Sequence, residues 1–285
     1  MHKLGPSYIG WNTESHLQLY DIWNRKSNLE FDFAYGCFSE HTYLLESVKL
    51  LENPEIFDIG CATGTTYRFL YNKIRGSGYS YTGLDLSKST IEKARSLYPD
   101  VNFLTSNGER LYELLSSKAD IVYSRDTILH QESPYDFLDQ LIEITERFLI
   151  IRLRTRDHGE TEFDFSKSCQ MHYDNYWMPY IVLNIDELIS YIKSKNNVIK
   201  VTINRSYEVL GGQNSRFLPK DLYFEKTGTA ETSIMIELGA TKQKGEIEIV
   251  HDKKMQGHQF LRMNRFNYKY LIYRAMSKFR NGANA

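Results

Sequence analysis

Two short apolar runs that each end in an acid constrain this chain more than any other feature of its sequence. They are residues 57–64 (FDIGCATG) and residues 83–86 (GLDL). A strand that stops at a glycine-rich turn brings bare backbone close to a ligand, because glycine lacks a Cβ and tolerates positive φ. The first free N–H groups of a following helix point at the same place. This pattern predicts a doubly wound α/β domain that binds a cofactor containing a nucleoside.

The glycine spacing indicates which class of nucleoside cofactor is bound. The turn reads Gly60-x-Ala62-x-Gly64, whereas the dinucleotide fingerprint would require a third glycine at position 65, where this chain has threonine. Asp58 lies two residues before the first glycine, where a carboxylate would repel a diphosphate and suit a cationic amino group. Asp85 follows Gly60 by 25 residues, which fits one crossover helix and a strand, and its carboxylate can accept hydrogen bonds from a ribose.

These residues resemble motif I and the ribose-binding acid of the class I S-adenosylmethionine-dependent methyltransferases of the small-molecule type. The resemblance continues through a third strand and turn at 101–108, a fourth strand at 119–124 and a fifth strand at 148–154, and it covers residues 35–210. It implies a doubly wound, mostly parallel seven-stranded sheet, the Rossmann-like methyltransferase fold, whose last strand is antiparallel. Two departures, Ala62 in place of the middle glycine and a missing Pro-Gly-Gly before the fifth strand, leave this expectation unchanged.

The resemblance implies S-adenosyl-L-methionine as the cofactor. The motif I turn would hold its methionine end, the acid after the second strand its ribose, and the turn after the third strand its adenine. The implied cofactor-binding residues are Asp58, Gly60, Cys61, Ala62, Thr63, Gly64, Asp85, Leu86, Ser106, Asn107, Gly108 and Ser124. No metal site is predicted, since Cys169 and His172 form an isolated pair without a second matched pair.

Composition divides the chain into three parts. Residues 1–34 are aromatic and polar and predict a helical cap over the cofactor cleft, with packing on the edge of the core as the alternative. Residues 35–240 form the predicted methyltransferase domain. Residues 241–285 form a C-terminal appendage, which from Lys253 onward holds eight Lys or Arg residues and no acid. The helical spacing of apolar residues predicts a basic amphipathic helix over residues 253–280. This helix would lie on an anionic membrane or on a partner protein, and the alternative is a helix packed on the domain.

Three residues are candidates for a general base, because a hydroxyl acceptor benefits from a proton acceptor with a pKa near the working pH. His130 follows the fourth strand, and its neutral imidazole is available at physiological pH. In the family that the chain resembles, a histidine at this point is frequently structural. Asp126 is the second candidate, although it could equally orient a histidine or cap the following helix. His172 is the third.

Alternating arginines end the fifth strand. Arg152, Arg154 and Arg156 would point to one face of an extended strand, where like charges repel, so an anion or acidic side chains lie opposite. An anionic substrate is one hypothesis, since guanidinium groups match phosphate geometry, and an internal ion-pair network is the other. Arg125 could bind the substrate or the cofactor carboxylate. The predicted substrate-binding residues are Arg125, Arg152, Arg154, Tyr173 and Trp177.

Composition also limits the functional classes. A net charge of −1 offers no global field for nucleic acid, and three widely spaced cysteines argue against a disulfide framework and for a cytoplasmic location. No apolar stretch reaches about 18 residues, so we expect no membrane-spanning helix. The leading prediction is an O- or N-directed methyltransferase for a small, anionic acceptor, phosphorylated or nucleotide-linked, with surface-polysaccharide biosynthesis as the suggested setting.

Three alternative functions remain open at this stage. A nucleic-acid methyltransferase of the amino-directed type would carry an (Asp/Asn/Ser)-Pro-Pro-(Tyr/Phe/Trp) tetrapeptide after the fourth strand, where this chain has residues 124–127 (SRDT). A nicotinamide oxidoreductase is disfavoured by the glycine spacing. A non-catalytic cofactor-binding scaffold is the third alternative.

Overall fold

A twisted sheet covered by helices on both faces forms the centre of the protein, in a computed structural model that describes residues 9–35, 38–106, 110–115, 117–171, 176–207, 216–219, 222, 228–239 and 249–256. The strands in this part of the chain are β1 (Glu55–Ile59), β2 (Ser80–Asp85), β3 (Asn102–Thr105), β4 (Ala119–Arg125), β5 (Thr145–Arg156), β6 (Cys169–Met171), β7 (Trp177–Pro179), β8 (Leu183–Asn184), β9 (Val198–Tyr207), β10 (Arg216–Phe217), β11 (Thr229–Leu238) and β12 (Ile249–Gln256). The helices are α1 (Glu14–Asn24), α2 (Asn28–Tyr35), α3 (Ser39–Leu50), α4 (Thr65–Lys73), α5 (Lys88–Leu97), α6 (Leu111–Leu115), α7 (Pro134–Glu143) and α8 (Ile185–Ser194). None of these described helices has the length and apolar character needed to span a membrane.

The main sheet is mostly parallel. Five parallel strands follow the order β3-β2-β1-β4-β5. Strand β11 pairs antiparallel with β5, and β9 pairs antiparallel with β11. The order β3-β2-β1-β4-β5-β11-β9 therefore confirms the predicted seven-stranded sheet with an antiparallel last strand. Because the carboxyl ends of parallel strands meet at one edge, the turns after β1, β2, β3 and β4 come together there.

The sheet extends beyond the predicted domain limit at residue 240. Strand β12 pairs parallel with β9 at the outer edge, and β8 pairs parallel with the end of β5. Lys253 and Lys254 lie within β12, at a shift of register, so the expectation of a helix beginning at Lys253 is wrong for these residues. The rest of the predicted basic helix, residues 257–280, lies outside the described part of the chain. The division into three parts stays a prediction.

Neighbouring residues of β1 pack into two apolar clusters. Ile56 packs in one cluster with Leu44 of α3 and Leu70 of α4. Phe57 packs in the other cluster with Leu138 of α7. A parallel strand buried on both faces is apolar along its whole length, which explains why the run before the glycine-rich turn is continuous.

The N-terminal segment is helical, as predicted, and is attached to α4. Thr13 caps α1, since its hydroxyl accepts a hydrogen bond from the N–H of His16 at 3.2 Å. At the other end of α1, the guanidinium of Arg68 donates to the carbonyl oxygen of Trp23 at 2.9 Å and to that of Lys26 at 2.8 Å. Because α4 begins directly after the glycine-rich turn, this contact places α1 next to that turn.

Arg152 and Arg154 lie in a buried ion-pair network. Glu231 of β11 accepts hydrogen bonds from Nη2 of both arginines, at 2.7 Å from Arg152 and 2.8 Å from Arg154. Asp126 pairs with both guanidinium groups, and Glu40 of α3 lies 3.5 Å from Nε of Arg152. The expectation that these two arginines bind an anionic substrate is thereby corrected, because acidic side chains of the chain itself lie opposite them.

This network predicts an unequal effect of two substitutions in β11. Glu231→Gln removes the charge that faces two buried guanidinium groups, so we expect it to lower the free energy of unfolding by about 3–5 kcal/mol. Glu237→Gln on the same strand removes the charge of a partly exposed carboxylate that lies 3.5 Å from Arg147. We expect this substitution to change the free energy of unfolding by less than about 1 kcal/mol. Urea unfolding measures both values. Equal and small effects would contradict the role assigned to Glu231.

Candidate active site

A cavity of about 300 Å³ lies at the carboxyl ends of the parallel strands. Turns that follow β1, β2, β3 and β4 form one side of it, and the N-terminal segment forms another. The lining residues from the domain are Ile59, Gly60, Leu84, Asp85, Leu86, Ser106, Arg110, Leu111, Arg125, Asp126, Thr127, His130, Gln131, Phe137 and Gln140. Those from the N-terminal segment are Trp11, His16 and Tyr20.

The glycine-rich turn after β1 needs small residues for two reasons. Gly60 and Gly64 have φ of +86° and +80°, values that favour glycine, and Ala62 between them has φ of +48°. A Cβ on Gly60 would also collide with the hydroxyl of Thr127 in the turn after β4. The N–H groups of Gly60 and Cys61 donate to the carbonyl oxygen of Leu84 at 2.8 and 2.9 Å. The turn therefore lies flat against the end of β2.

Asp85 links this turn to the next one. One carboxylate oxygen accepts a hydrogen bond from the N–H of Ala62 at 2.8 Å, and the other accepts one from the N–H of Ser87 at 2.8 Å. Thr90 donates to the second oxygen at 3.4 Å. Burial raises the pKa of Asp85, while the two backbone hydrogen bonds favour its charged form. The carboxylate thus has a fixed orientation at the floor of the cavity.

The other predicted cofactor residues divide between the cavity and the structure around it. Leu86 and Ser106 line the cavity together with Gly60 and Asp85. Ser124 is buried and donates a hydrogen bond to the carbonyl oxygen of Ile59 at 2.9 Å, which joins β4 to β1. Asn107 and Gly108 lie outside the described residues. The residues of the motif I turn that are buried and do not line the described cavity are Cys61, Ala62, Thr63 and Gly64.

Asp58 occupies a different place from the one that the sequence suggests. Its side chain is 1% exposed and accepts a hydrogen bond from the hydroxyl of Tyr81 at 2.5 Å. Burial raises the pKa of Asp58 to about 7, although the hydrogen bond from Tyr81 favours the charged form. It is not among the residues that line the described cavity. Asp58 therefore packs behind the turn, between β1 and β2.

His130 is oriented by the backbone of the small second sheet. Its Nδ1 lies 2.8 Å from the carbonyl oxygen of Pro179, which can only accept, so Nδ1 carries the hydrogen. In the neutral ring the lone pair is then on Nε2. The ring of Trp11 contacts that of His130, with centroids 4.8 Å apart. His130 lines the cavity, so the structure keeps it as a candidate base.

Two of the other candidates have alternative partners. Asp126 lines the cavity, but each of its two carboxylate oxygens already pairs with an arginine, Arg152 or Arg154. Trp177 packs on Phe217, with ring centroids 4.8 Å apart, and does not line the described cavity. His172 and Tyr173 lie outside the described residues.

Arg125 is the candidate substrate residue that does line the cavity. Its Nε lies 3.0 Å from Oε1 of Glu40, the same oxygen that faces Arg152. The second oxygen of Glu40 accepts a hydrogen bond from the hydroxyl of Ser233 at 2.7 Å. Burial by itself would raise the pKa of Glu40, but Arg152, His41 and Arg125 outweigh burial and lower it to about 2. A buried carboxylate thus joins the ends of β4 and β5 to α3.

A row of aromatic rings covers the cavity from the N-terminal side. The rings follow the order Tyr20, His16, Trp11, His130 and Tyr180, with centroid separations of 4.8, 5.0, 4.8 and 5.7 Å. All four contacts have interplanar angles of 63–80°, the edge-to-face geometry that aromatic pairs prefer. The row connects the N-terminal segment, the turn after β4 and the segment after β7.

Sequence reasoning missed two charged residues at this site. Glu40 lies in helix α3, and Glu231 lies in strand β11. The alternating arginines of β5 required acids opposite them, but no local signal identified these two. Their partners lie 85 and 77 positions away along the chain.

Known proteins resemble this chain in sequence over part of its length and in fold over most of it. Residues 57–147 match the family model described as a methyltransferase domain. The fold resembles the plantazolicin methyltransferase BamL in complex with SAH and a triazolic desmethylPZN analog. That match has a TM-score of 0.52 and 16% identity, and covers 82% of this chain and 94% of that one.

Residues 57–147 are thus similar in sequence to a methyltransferase domain, and the chain has the Rossmann-like methyltransferase fold. The segment that matches the family model begins in β1 and ends in β5, and it holds Gly60, Asp85, Arg125 and His130.

Two further proteins resemble a smaller part of the chain. The fold resembles the N-terminal domain of EvdMO1 in the presence of SAH and D-fucose, with a TM-score of 0.50 and 13% identity over 73% of this chain and 83% of that one. In sequence, 46 residues are 44% identical to a carboxy-S-adenosyl-L-methionine synthase of Desulfotalea psychrophila. The match spans 16% of this chain and about a fifth (19%) of that protein.

The position of Asp58 predicts an unusual pH dependence of stability. Its pKa of about 7 in the folded chain lies above the ordinary value of 3.8, so the folded state binds its proton more tightly than the unfolded state. The contribution to stability is therefore complete below about pH 4 and is lost as the pH rises through about 7. Urea unfolding at pH 5 and pH 8 should show a decrease in the wild type that Asp58→Asn lacks. Parallel pH profiles of the two proteins would contradict this placement.

Proposed function

We propose that this protein binds S-adenosyl-L-methionine and methylates a hydroxyl or amino group of a small-molecule acceptor. The observation that most supports this proposal is the oriented carboxylate of Asp85 at the cavity floor, beside the bare backbone of Gly60. The match of residues 57–147 to a methyltransferase domain supports the reaction class. Both structures of similar fold, those of BamL and of the N-terminal domain of EvdMO1, were determined with SAH present, which supports the choice of cofactor.

The described residues fit this cofactor. A carboxylate has about four lone-pair positions, and Ala62, Ser87 and Thr90 donate to three of those of Asp85, so about one is left to accept a hydrogen bond from a ribose hydroxyl. Gly60 lets a ligand approach the backbone closely, since it has no Cβ. Leu86 and Ser106 continue the cavity toward β3, on the side where the family holds the adenine. Charged side chains of both signs line the cavity on the side of β4.

When bound, this cofactor supplies an activated methyl group, so the protein mainly has to position the acceptor and exclude water. In this proposal His130 takes the proton of the acceptor at Nε2, and the hydrogen bond from its Nδ1–H to the carbonyl oxygen of Pro179 supports that role. The rings of Trp11, His16 and Tyr20 shield the same cavity from solvent on the N-terminal side.

The finer proposal for the acceptor is an anionic metabolite, phosphorylated or nucleotide-linked. It depends on Arg110, which lines the cavity, and not on Arg152 and Arg154, whose guanidinium groups pair with Asp126 and Glu231. Phosphorylated and nucleotide-linked sugars of surface-polysaccharide biosynthesis are the first acceptors to screen. The buried free thiols of Cys61 and Cys169 suit a reducing compartment, so we propose a cytoplasmic setting.

The cofactor proposal predicts selective binding. Isothermal titration calorimetry should give micromolar affinity for S-adenosylmethionine and S-adenosylhomocysteine and no binding of NADH. Asp85→Ala should weaken both adenosyl ligands by about 10–100-fold, since the ribose loses a charged acceptor. A preference for NADH, or no binding of either adenosyl ligand to the wild type, would refute the proposed cofactor.

The role of His130 predicts a loss of turnover without a loss of cofactor binding. His130→Gln keeps an amide N–H for the Pro179 carbonyl oxygen but has no basic nitrogen, so kcat should fall by about 10²–10⁴-fold. Cofactor affinity should stay within about threefold of the wild type. His158→Ala, which changes an exposed histidine, serves as the matched control. Wild-type turnover in His130→Gln would leave His130 with a structural role only.

A further inference from the structure

Two acids of the chain, Asp58 and Asp126, are candidates to meet the amino group of the cofactor. Sequence reasoning gave this role to Asp58, but that carboxylate is buried against Tyr81 and does not line the described cavity. Two adjacent residues of opposite charge, Arg125 and Asp126, do line it. The methionine end of S-adenosylmethionine also carries two opposite charges, a carboxylate and an ammonium group.

Strand order places these two residues at the required end of the cavity. Asp85 follows β2, and the cavity continues toward β3 through Ser106, where the adenine would lie. The amino-acid part must then extend the other way, across β1 to β4. Two strand spacings separate β2 from β4, about 10 Å, which suits the length of the sulfonium-linked chain. Gly60 lies between them, where bare backbone permits passage.

We propose that Arg125 and Asp126 form the subsite for the amino-acid part of the cofactor, with Arg125 facing its carboxylate and Asp126 its ammonium group. This inference rests on the proposed function, since it requires S-adenosylmethionine as the ligand. It transfers a role from the motif I acid to the turn after β4.

The guanidinium of Arg125 is held in a way that presents its outer nitrogens. Its Nε is taken by Glu40 at 3.0 Å. Its plane lies over the ring of Phe38, 4.5 Å from the centroid, and 5.2 Å from that of Tyr35. Within the described part of the chain, Nη1 and Nη2 make no hydrogen bond. These two nitrogens match a carboxylate, which binds a guanidinium best in a two-bond contact.

Asp126 is likewise fixed and partly open. Arg152 and Arg154 each pair with one of its oxygens, yet 30% of its side chain is exposed. Its backbone has φ of +57°, a left-handed conformation that non-glycine residues adopt at a cost and that clusters at functional sites. The N–H of Asp126 donates to the carbonyl oxygen of Arg152 at 2.9 Å, which fixes the turn.

The charges around this subsite cancel. Three cations face three anions: Arg125, Arg152 and Arg154 against Glu40, Asp126 and Glu231. A neutral network can accept a zwitterion without leaving either of its charges uncompensated, whereas a net charge of either sign would repel one end of it. Glu40 is a positioning residue here, because it holds the guanidinium of Arg125 without lining the described cavity.

The test compares two ligands that share the adenosine part. S-adenosylhomocysteine carries the amino acid, and 5′-methylthioadenosine lacks it. By calorimetry, Arg125→Met and Asp126→Asn should each weaken S-adenosylhomocysteine by about 10–100-fold and change the affinity for 5′-methylthioadenosine by less than about threefold. Glu40→Gln should show the same selectivity with a smaller loss, as expected for a residue that acts through Arg125.

Two matched controls complete the experiment. Asp58→Asn should leave the ratio of the two affinities unchanged, and so should Arg147→Met, which removes a partly exposed arginine of β5. Equal losses for both ligands in Arg125→Met, or a selective loss in Asp58→Asn, would overturn the inference. If Asp126→Asn does not fold, Arg125→Met decides alone. If the wild-type protein binds neither ligand, the proposed function itself is refuted. If the wild type binds both ligands and every variant keeps both affinities, only this subsite is refuted.

Discussion

The compensation of buried arginine charges at the ends of β4 and β5 is the constraint on which the rest of this structure depends. Strand β5 carries its guanidinium groups into a layer with little water, and an unpaired charge there is costly. The antiparallel entry of β11 brings Glu231 directly opposite Arg154. Helix α3 brings Glu40 from the other side. These contacts hold the turn after β4 at the edge of the cavity.

A second carboxylate organises the neighbouring half of the cavity by different means. Asp85 has no cationic partner among its described hydrogen bonds and is fixed by backbone N–H groups from two turns. Such bonds cost little entropy, because the backbone is already ordered by the parallel strands. The half of the cavity near β2 is therefore built from backbone, whereas the half near β4 is built from side-chain charges that lie far apart in the sequence.

This contrast explains how much of the fold and the site could be predicted. Apolar runs and glycine spacing are local signals, so the sequence predicted the doubly wound α/β domain, the turn at Gly60 and the position of Asp85 after the second strand. The seven-stranded sheet with an antiparallel last strand was implied by the family resemblance. The roles of Arg152 and Asp58 depend on partners supplied by other strands, Glu231 and Tyr81, which no local pattern specifies. Strand β12 was missed for a related reason, since an edge strand needs only one partner and its basic residues suggested a helix instead.

The row of rings from Tyr20 to Tyr180 has a consequence for how molecules enter and leave. Its members come from three separate parts of the chain and are joined by edge-to-face contacts, without an ion pair between the rings. Opening the cavity on this side therefore means separating apolar surfaces, a process whose free-energy cost falls as the temperature is lowered. If ligands exchange through this side, their exchange would therefore depend on the hydration of aromatic surface more than on ionic strength.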